Sequence, residues 1–379
     1  MKNLIILLSI CIISCTSVHD IQEEPRISIS FASTLSNVQD TLFDVKYIKL
    51  ETTDTCLLGT IGQIETFSDS LLLVLDINNS YLYAFNQKGK YLTHIGKKGE
   101  GPGEYIKLSS FFIDKQRNRI GLLDIGKQKV IFYQITDFSF QSEMDFPFET
   151  SCCTVSEEGY MLWNSTGYGS DRTGNAYFIL TDSTGTILQT AVEKQFKSGY
   201  SLGDPRNVYT FQGKNYAYSP FNLSVWKIEN DSIQKDVQFS LGNPSPPYSF
   251  LMEKSYGGQS CYFKALEESD YISYYTIREF TQYYSILYIV HNQRFIGFYN
   301  KHNQLSYLYE LKQFQDMLKV GKMDYLSSGF FHEYCVSPLN VSDLLELKRQ
   351  GYSFQKELED LLHDASNEDN QILMCIRLK

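Results

Sequence analysis

The stretch GKKGEGPGEY, residues 96–105, concentrates the residue types that could grip a ligand. Gly99, Gly101 and Gly103 surround Pro102, and Glu100, Glu104 and Tyr105 supply polar and aromatic groups. A phosphate-binding loop needs backbone N–H groups converging at a helix start, usually with a Lys and a Ser or Thr. Here the segment that follows, IKLSSFFID, has the apolar pattern of a strand, and Pro102 removes one donor. Neither the mononucleotide nor the dinucleotide loop pattern matches. The three glycines permit positive φ, Pro102 stiffens the crossing, and Glu100 or Glu104 can accept hydrogen bonds from loop amides. A rigid connector is the expectation, with a loop that also lines a ligand site as its alternative.

The remaining candidates are dispersed. His94, His291, His302 and His332 form no HxH or HxxxH pair, and no GxSxG nucleophile elbow occurs. Asp76, Asp114 and Asp124 follow apolar runs, where Asx turns are expected; calcium coordination is the sharper alternative. The chain has eight cysteines with no CxxC spacing, which argues against a zinc site or a dithiol redox motif. Cys56, Cys152, Cys153, Cys261, Cys335 and Cys375 fall in the body of the chain, as one or two disulfides or as buried thiols. The segments EGYMLWNSTGYGSDRTGNAYF and SPPYSFLMEKSYGG carry aromatics that could stack on sugars, grip a peptide or pack on one another. No catalytic or metal-ligating set emerges.

The elements that must position these residues read as β. With 34 Lys and Arg against 44 Asp and Glu, the formal charge of −10 argues against a nucleic-acid partner. Units of about 40 residues recur, each an apolar strand, an Asp/Asn turn, an aromatic strand, a GK turn and a further strand. LLLVLDINNSYLYAFNQKGKYLTHIG and FFIDKQRNRIGLLDIGKQKVIFYQI are the clearest, and a four-stranded propeller blade needs this length. Residues 243–276 break the rhythm as a Pro-, Gly- and Tyr-rich excursion. Residues 341–364 place Val341, Leu344, Leu345, Leu347, Phe354, Leu358, Leu361 and Leu362 on two short amphipathic helices broken at Gly351. The final strand, 371–379, should pair with FDVKYIKL near the start and close a ring. The expected fold is an all-β six-bladed β-propeller over residues 42–379, with a short C-terminal helical insertion.

The amino end resembles a lipoprotein signal. Met1 and Lys2 precede the apolar run LIILLSICII, and IISC resembles a lipobox with Cys15 as the acylated first residue of the mature chain. Residues 1–14 would then be signal peptide, and 15–41 a lipidated tether and N-terminal segment. Acidic residues after Cys15 loosely resemble surface-export signals of Gram-negative lipoproteins. The implied location is the bacterial cell envelope, on the outer membrane and facing either the periplasm or the exterior.

The phrases KLETT, G-x-G-P-G-E-Y and DNQILMCIRLK together resemble the six-bladed β-propeller lipoproteins related to NHL-repeat proteins. The match is specific over residues 42–135, and the Asn-Pro start usual before the last strand is missing here. The resemblance implies a fold without fixing an activity. NHL-type lyases hold a channel metal through histidines from separate blades. The leading expectation is a membrane-anchored, non-catalytic binding or scaffold module for a peptide, protein or glycan, needing no cofactor. Its alternative is a propeller lyase or hydrolase with a divalent metal, calcium or zinc, in the central channel.

Overall fold

The computed structural model describes residues 21–379 except 23, 32–39, 69, 167–172, 195–203, 231, 256 and 324–328. Residues 1–14 and Cys15 therefore lie outside the described residues.

Six four-stranded antiparallel blades follow one another around a central axis. Blade 1 consists of Ile61–Phe67, Leu71–Asp76, Tyr81–Asn86 and Tyr91–Ile95. Blade 2 consists of Leu108–Asp114, Arg119–Asp124, Lys129–Gln134 and Phe140–Asp145. Blade 3 has Cys153–Val155, Met161–Asn164, Ala176–Thr181 and Ile187–Glu193. Blade 4 has Val208–Phe211, Lys214–Tyr218, Ser224–Ile228 and Ile233–Ser240. Blade 5 has Tyr274–Glu279, Tyr283–Val290, Gln293–Asn300 and Ser306–Glu310.

Blade 6 is assembled from both ends of the chain. Gly329–Phe331, Tyr334–Leu339 and Ile372–Leu378 are completed by the early strand Phe43–Lys49, in antiparallel register from Leu378↔Phe43 to Ile372↔Lys49. The terminal strands thus pair as their patterns anticipate.

The apolar runs are continuous because each blade is buried on both faces. In LLLVL, Leu72 and Val74 pack against blade 6, whereas Leu71, Leu73 and Leu75 pack against blade 2. The core is consequently six apolar layers between neighbouring blades.

Antiparallel blades give the ring two unlike faces. One carries only short turns. The other carries the connectors between blades and the turns between second and third strands, and among the described residues the five α-helices lie there, whereas the 3-10 turn Asp40–Leu42 precedes the outer strand of blade 6 at the first face. Helices α1 (Tyr248–Ser255) and α2 (Gln259–Glu267) join blades 4 and 5, and α3 (Leu311–Leu318) joins blades 5 and 6. Helices α4 (Val341–Arg349) and α5 (Lys356–Leu361) interrupt blade 6. The expected helix pair packs inward: Val341, Leu344, Phe354, Leu358 and Leu362 join a layer with Phe43, Met374 and Ile376. Gly351 makes the break at φ +88°. The excursion at 243–276 proves partly helical, because Leu251, Tyr262 and Leu266 bury a small cluster of their own.

The N-terminal segment is more structured than a tether. Ile27–Ser30 runs parallel to the outer strand of blade 4, Ile27↔Val237 through Ser30↔Ser240, and Ile21–Gln22 pairs with Ile233 and Gln234. Ile29 and Phe31 are buried in the layer between blades 4 and 5, and Arg26 forks onto buried Asp236 at 2.6 and 3.2 Å.

Leu373→Ala and Met374→Ala each delete a fully buried side chain of the closing strand. Each should lower unfolding free energy by about 2–5 kcal/mol in urea titrations. Leu305→Ala, at an exposed turn, should change it by no more than about 0.5 kcal/mol. Equal effects at the three positions would contradict a closure that depends on this strand.

Candidate functional site

The connectors on the helix-bearing face are held by acceptors at the ends of the second strands. Asp76 accepts from Gly59 N at 2.7 Å and from Asn78 N and Asn79 N at 3.0 Å. Asp124 accepts from Ile106 N, Lys107 N and Gly126 N, each at 2.9 Å. Asn164 does the same in blade 3, taking Ser151 N at 2.9 Å and Cys152 N at 3.0 Å. The Asx turns expected at Asp76 and Asp124 are present, and each carboxylate also reaches the preceding connector. Asp114 also accepts from its own turn, Arg117 N at 3.2 Å, but its remaining contacts are the Arg117 and Arg119 guanidiniums rather than a connector. Asn370 anchors the first connector, donating to Glu51 O and Cys56 O and accepting from Leu58 N, all at 2.8 Å.

The glycine loop is the connector between blades 1 and 2. Glu104, not Glu100, accepts from Gly101 N at 3.0 Å, and Lys97 pairs with it at 2.7 Å. These contacts hold the Glu104 carboxyl below its usual range. Gly103 N donates to Glu143 at 2.8 Å, and the Tyr133 hydroxyl donates to Gly103 O. Lys127 Nζ sits among the carbonyl oxygens of Glu100 (3.3 Å), Gly101 (3.2 Å) and Glu104 (2.9 Å). Tyr105 is fully buried and Pro102 lies at the outer bend. Of the three glycines expected at positive φ, Gly99 (+155°) and Gly103 (+71°) adopt it and Gly101 does not. The loop amides are therefore satisfied within the protein, Gly101 and Gly103 by carboxylates and Gly99 and Glu104 by the carbonyls of Tyr105 and Gly101.

The central channel holds a charge cluster that sequence reading missed. Arg278, from the innermost strand of blade 5, donates to Tyr218 Oη at 2.8 Å and Ile277 O at 2.8 Å, and pairs with Asp204 at 3.2 Å. Tyr218 donates to Asp204 at 2.5 Å. Burial alone would push Asp204 up, but Arg278, Arg206 and these hydrogen bonds outweigh it and bring its pKa down to about 2. Across the axis, Glu65 of blade 1 is encircled by protein yet still reached by channel solvent. Desolvation raises it to about 7 against the opposing pull of Arg278, Gln63, Lys115 and Arg206. Its neighbour Gln63 clamps blade 2, donating to Phe111 O at 2.8 Å and accepting from Phe111 N at 3.1 Å. The only sequence hint was polar alternation in GQIETF, since the partners come from separate blades.

Other candidates do not assemble. His94 lies on an outer strand, His291 and His302 lie in turns of blade 5, and His332 bonds Gln87 at 3.1 Å. Among the described residues no three His, Cys, Asp or Glu side chains converge as a metal site. The six body cysteines are free thiols, all buried except Cys261. Within the two aromatic segments, Trp163 is fully buried and donates to Thr181 Oγ1 at 3.0 Å, whereas Tyr248 is exposed. The exposed large apolar side chains on the helix-bearing face are Leu57, Ile77, Ile106, Tyr248 and Phe263. Towards the opposite face, Leu305 is exposed on a turn, and Leu92, Phe140, Leu188 and Ile27 are exposed at the short-turn ends of outer strands.

Such a closed ring of six four-stranded blades defines a six-bladed β-propeller. The chain belongs to the DUF5128 family, described as 6-bladed beta-propeller, whose model matches residues 18–338. A crystal structure of a Bacteroides fragilis protein described as exported is 39% identical, with a TM-score of 0.87, covering 95% of this chain and all of that one (100%). A member of the duf4221 family from Bacteroides vulgatus shares the fold at 10% identity and a TM-score of 0.54, over 90% of this chain and 99% of that chain. No curated protein matches the sequence.

Two outcomes follow from this geometry. A Cβ at Gly103 would meet the Phe140 ring at 2.8 Å at positive φ, while one at Gly101 meets only the movable Glu104 carboxylate at 3.2 Å. Gly103→Ala should cost about 1–3 kcal/mol and Gly101→Ala far less, by thermal unfolding; the reverse order would refute the assignment.

For Glu65 the folded pKa of about 7 lies above the ordinary glutamate value of 4.5, so the native state binds more protons between them. Its contribution to stability therefore falls as pH rises from 4.5 to 7 and is level above. Glu65→Gln should remove that slope, making the variant more stable relative to wild type at pH 8 than at pH 5. Parallel urea midpoints at the two pH values would refute the shift.

Proposed function

We propose that this protein is a lipid-anchored, extracytoplasmic propeller that binds a partner non-catalytically through its helix-bearing face. Export is supported by the Bacteroides fragilis relative, and anchoring by the lipobox-like IISC and Cys15. The observation that carries the binding reading is the exposure of Leu57, Ile77, Ile106, Tyr248 and Phe263 on the face that also bears the five α-helices. Aliphatic side chains suit a peptide or protein better than a glycan, whose rings prefer flat aromatic surfaces. The glycine loop serves as a rigid connector, since its carboxylates and amides satisfy one another.

The second reading, a channel enzyme, has Glu65 in its favour. A carboxyl with a pKa of about 7 within the electrostatic reach of the Arg278 guanidinium suits proton transfer. Calcium or zinc would have to be held by residues other than a described cluster of three.

Cys15→Ala should move the protein from the membrane to the soluble fraction of cells; retention at the membrane would exclude the anchor. Leu57→Asp with Ile77→Asp should weaken peptide binding several-fold in fluorescence polarisation, with thermal stability unchanged. Turnover of ester, peptide or glycoside substrates that is lost in Glu65→Gln would overturn the non-catalytic reading in favour of the second.

A further inference from the structure

The path of the N-terminal segment fixes which face of the ring meets the membrane. The outer strand of blade 4, Ile233–Ser240, starts at the short-turn face and ends where the α1–α2 connector begins. Ile21–Gln22 and Ile27–Ser30 run parallel to it, from Ile21↔Ile233 to Ser30↔Ser240. The chain therefore enters the body at the short-turn face and climbs towards the helix-bearing face.

Several contacts hold it there. Arg26 N donates to Lys235 O at 3.1 Å, and its guanidinium pairs with Asp236 at 2.6 Å. Phe31 N donates to Ser240 O at 2.8 Å, and the Phe31 ring fills the space above Gly297 that a Cβ would need. Ser306 Oγ donates to Ser30 O at 3.2 Å.

Reach then decides orientation. Six residue steps separate Cys15 from Ile21, about 20 Å when fully extended. The eight-residue outer strand spans the ring's thickness, about 26 Å. A lipid on Cys15 can lie beneath the short-turn side of blade 4 but cannot pass around the ring to bring the opposite face to the bilayer while the parallel strand stays docked.

We propose that the short-turn face at blade 4 is membrane-proximal, and that the helix-bearing face with its exposed apolar side chains is presented away from the lipid surface. This rests on the anchor reading above. It assigns the lipid bilayer as the partner of one face and leaves the other open to a soluble or surface-bound macromolecule.

The test uses the full lipidated protein reconstituted in phosphatidylethanolamine–phosphatidylglycerol vesicles carrying a headgroup-attached quencher. Cys261 on α2 is the exposed thiol among the described cysteines, and Asn230 is exposed at the short-turn end of blade 4. A fluorophore on native Cys261 reports the helix-bearing face. The same fluorophore on Asn230→Cys, in a Cys261→Ser background, reports the other. Quenching should be several-fold stronger at position 230 than at position 261. Equal or reversed quenching on protein that floats with the vesicles overturns the orientation alone. Failure of the Cys15 protein to float overturns the anchor reading and this inference with it. Arg26→Ala with Phe31→Ala, which frees the strand, should bring the two signals together; an unchanged difference would show that the docked strand does not set the orientation.

Discussion

The register between Phe43–Lys49 and Ile372–Leu378 is the constraint on which everything else in this molecule rests. Blades bury both their faces only when each has two neighbours, and a ring gives two neighbours to all of them. Without the seam, blade 6 would lose its outer strand and its two neighbouring layers would open to water. Leu373 and Cys375 point into the layer shared with blade 1, while Met374 and Ile376 point into the layer shared with blade 5. One strand therefore closes two interfaces at once, which is why alternation along seven residues carries so much of the fold.

Around the axis the problem is electrostatic instead. Innermost strands approach one another too closely for large apolar layers, and their polar groups must be satisfied across blades. Gln63 does this between blades 1 and 2, Thr154 and Thr210 between blades 3 and 4, and Tyr209 with Glu279 between blades 4 and 5. Arg278 is held by Asp204 and Tyr218 while it partly offsets the upward push that burial gives the pKa of both Glu65 and Cys335, on blades 1 and 6. A buried guanidinium tolerates this only because its hydrogens are paired and its charge is opposed.

The legible parts of the fold were local. Two-residue periodicity, Asp/Asn turns and the recurring unit length specify blades because each repeats within a short window. The amphipathic spacing of Val341, Leu344, Leu358 and Leu362 was equally local, and those residues pack as their spacing implies. Helices α1 and α2 were hidden by Pro, Gly and Tyr, which mask a buried trio too small to give a periodic signal. The glycine loop was readable as a connector, but the choice of Glu104 over Glu100 depends on a Lys97 contact and a φ value. The channel cluster was not legible at all. Glu65, Asp204, Tyr218 and Arg278 are separated by up to 213 positions and meet only once the ring exists. The parallel strand Ile27–Ser30 was invisible for the same reason, as its partner Asp236 lies 210 positions from Arg26.

A ring whose last blade needs the last strand has a consequence for how the molecule comes into being. During synthesis the blades emerge in order, yet Phe43–Lys49 waits unpaired until Ile372–Leu378 has followed it out. For nearly the whole of that passage two sheet edges stand open, ready to pair with any other extended chain. The partner residues for docking Ile27–Ser30 on blade 4 are complete earlier, once residue 240 has emerged. The leading end of the chain can therefore be fastened to the growing body before the circle is complete.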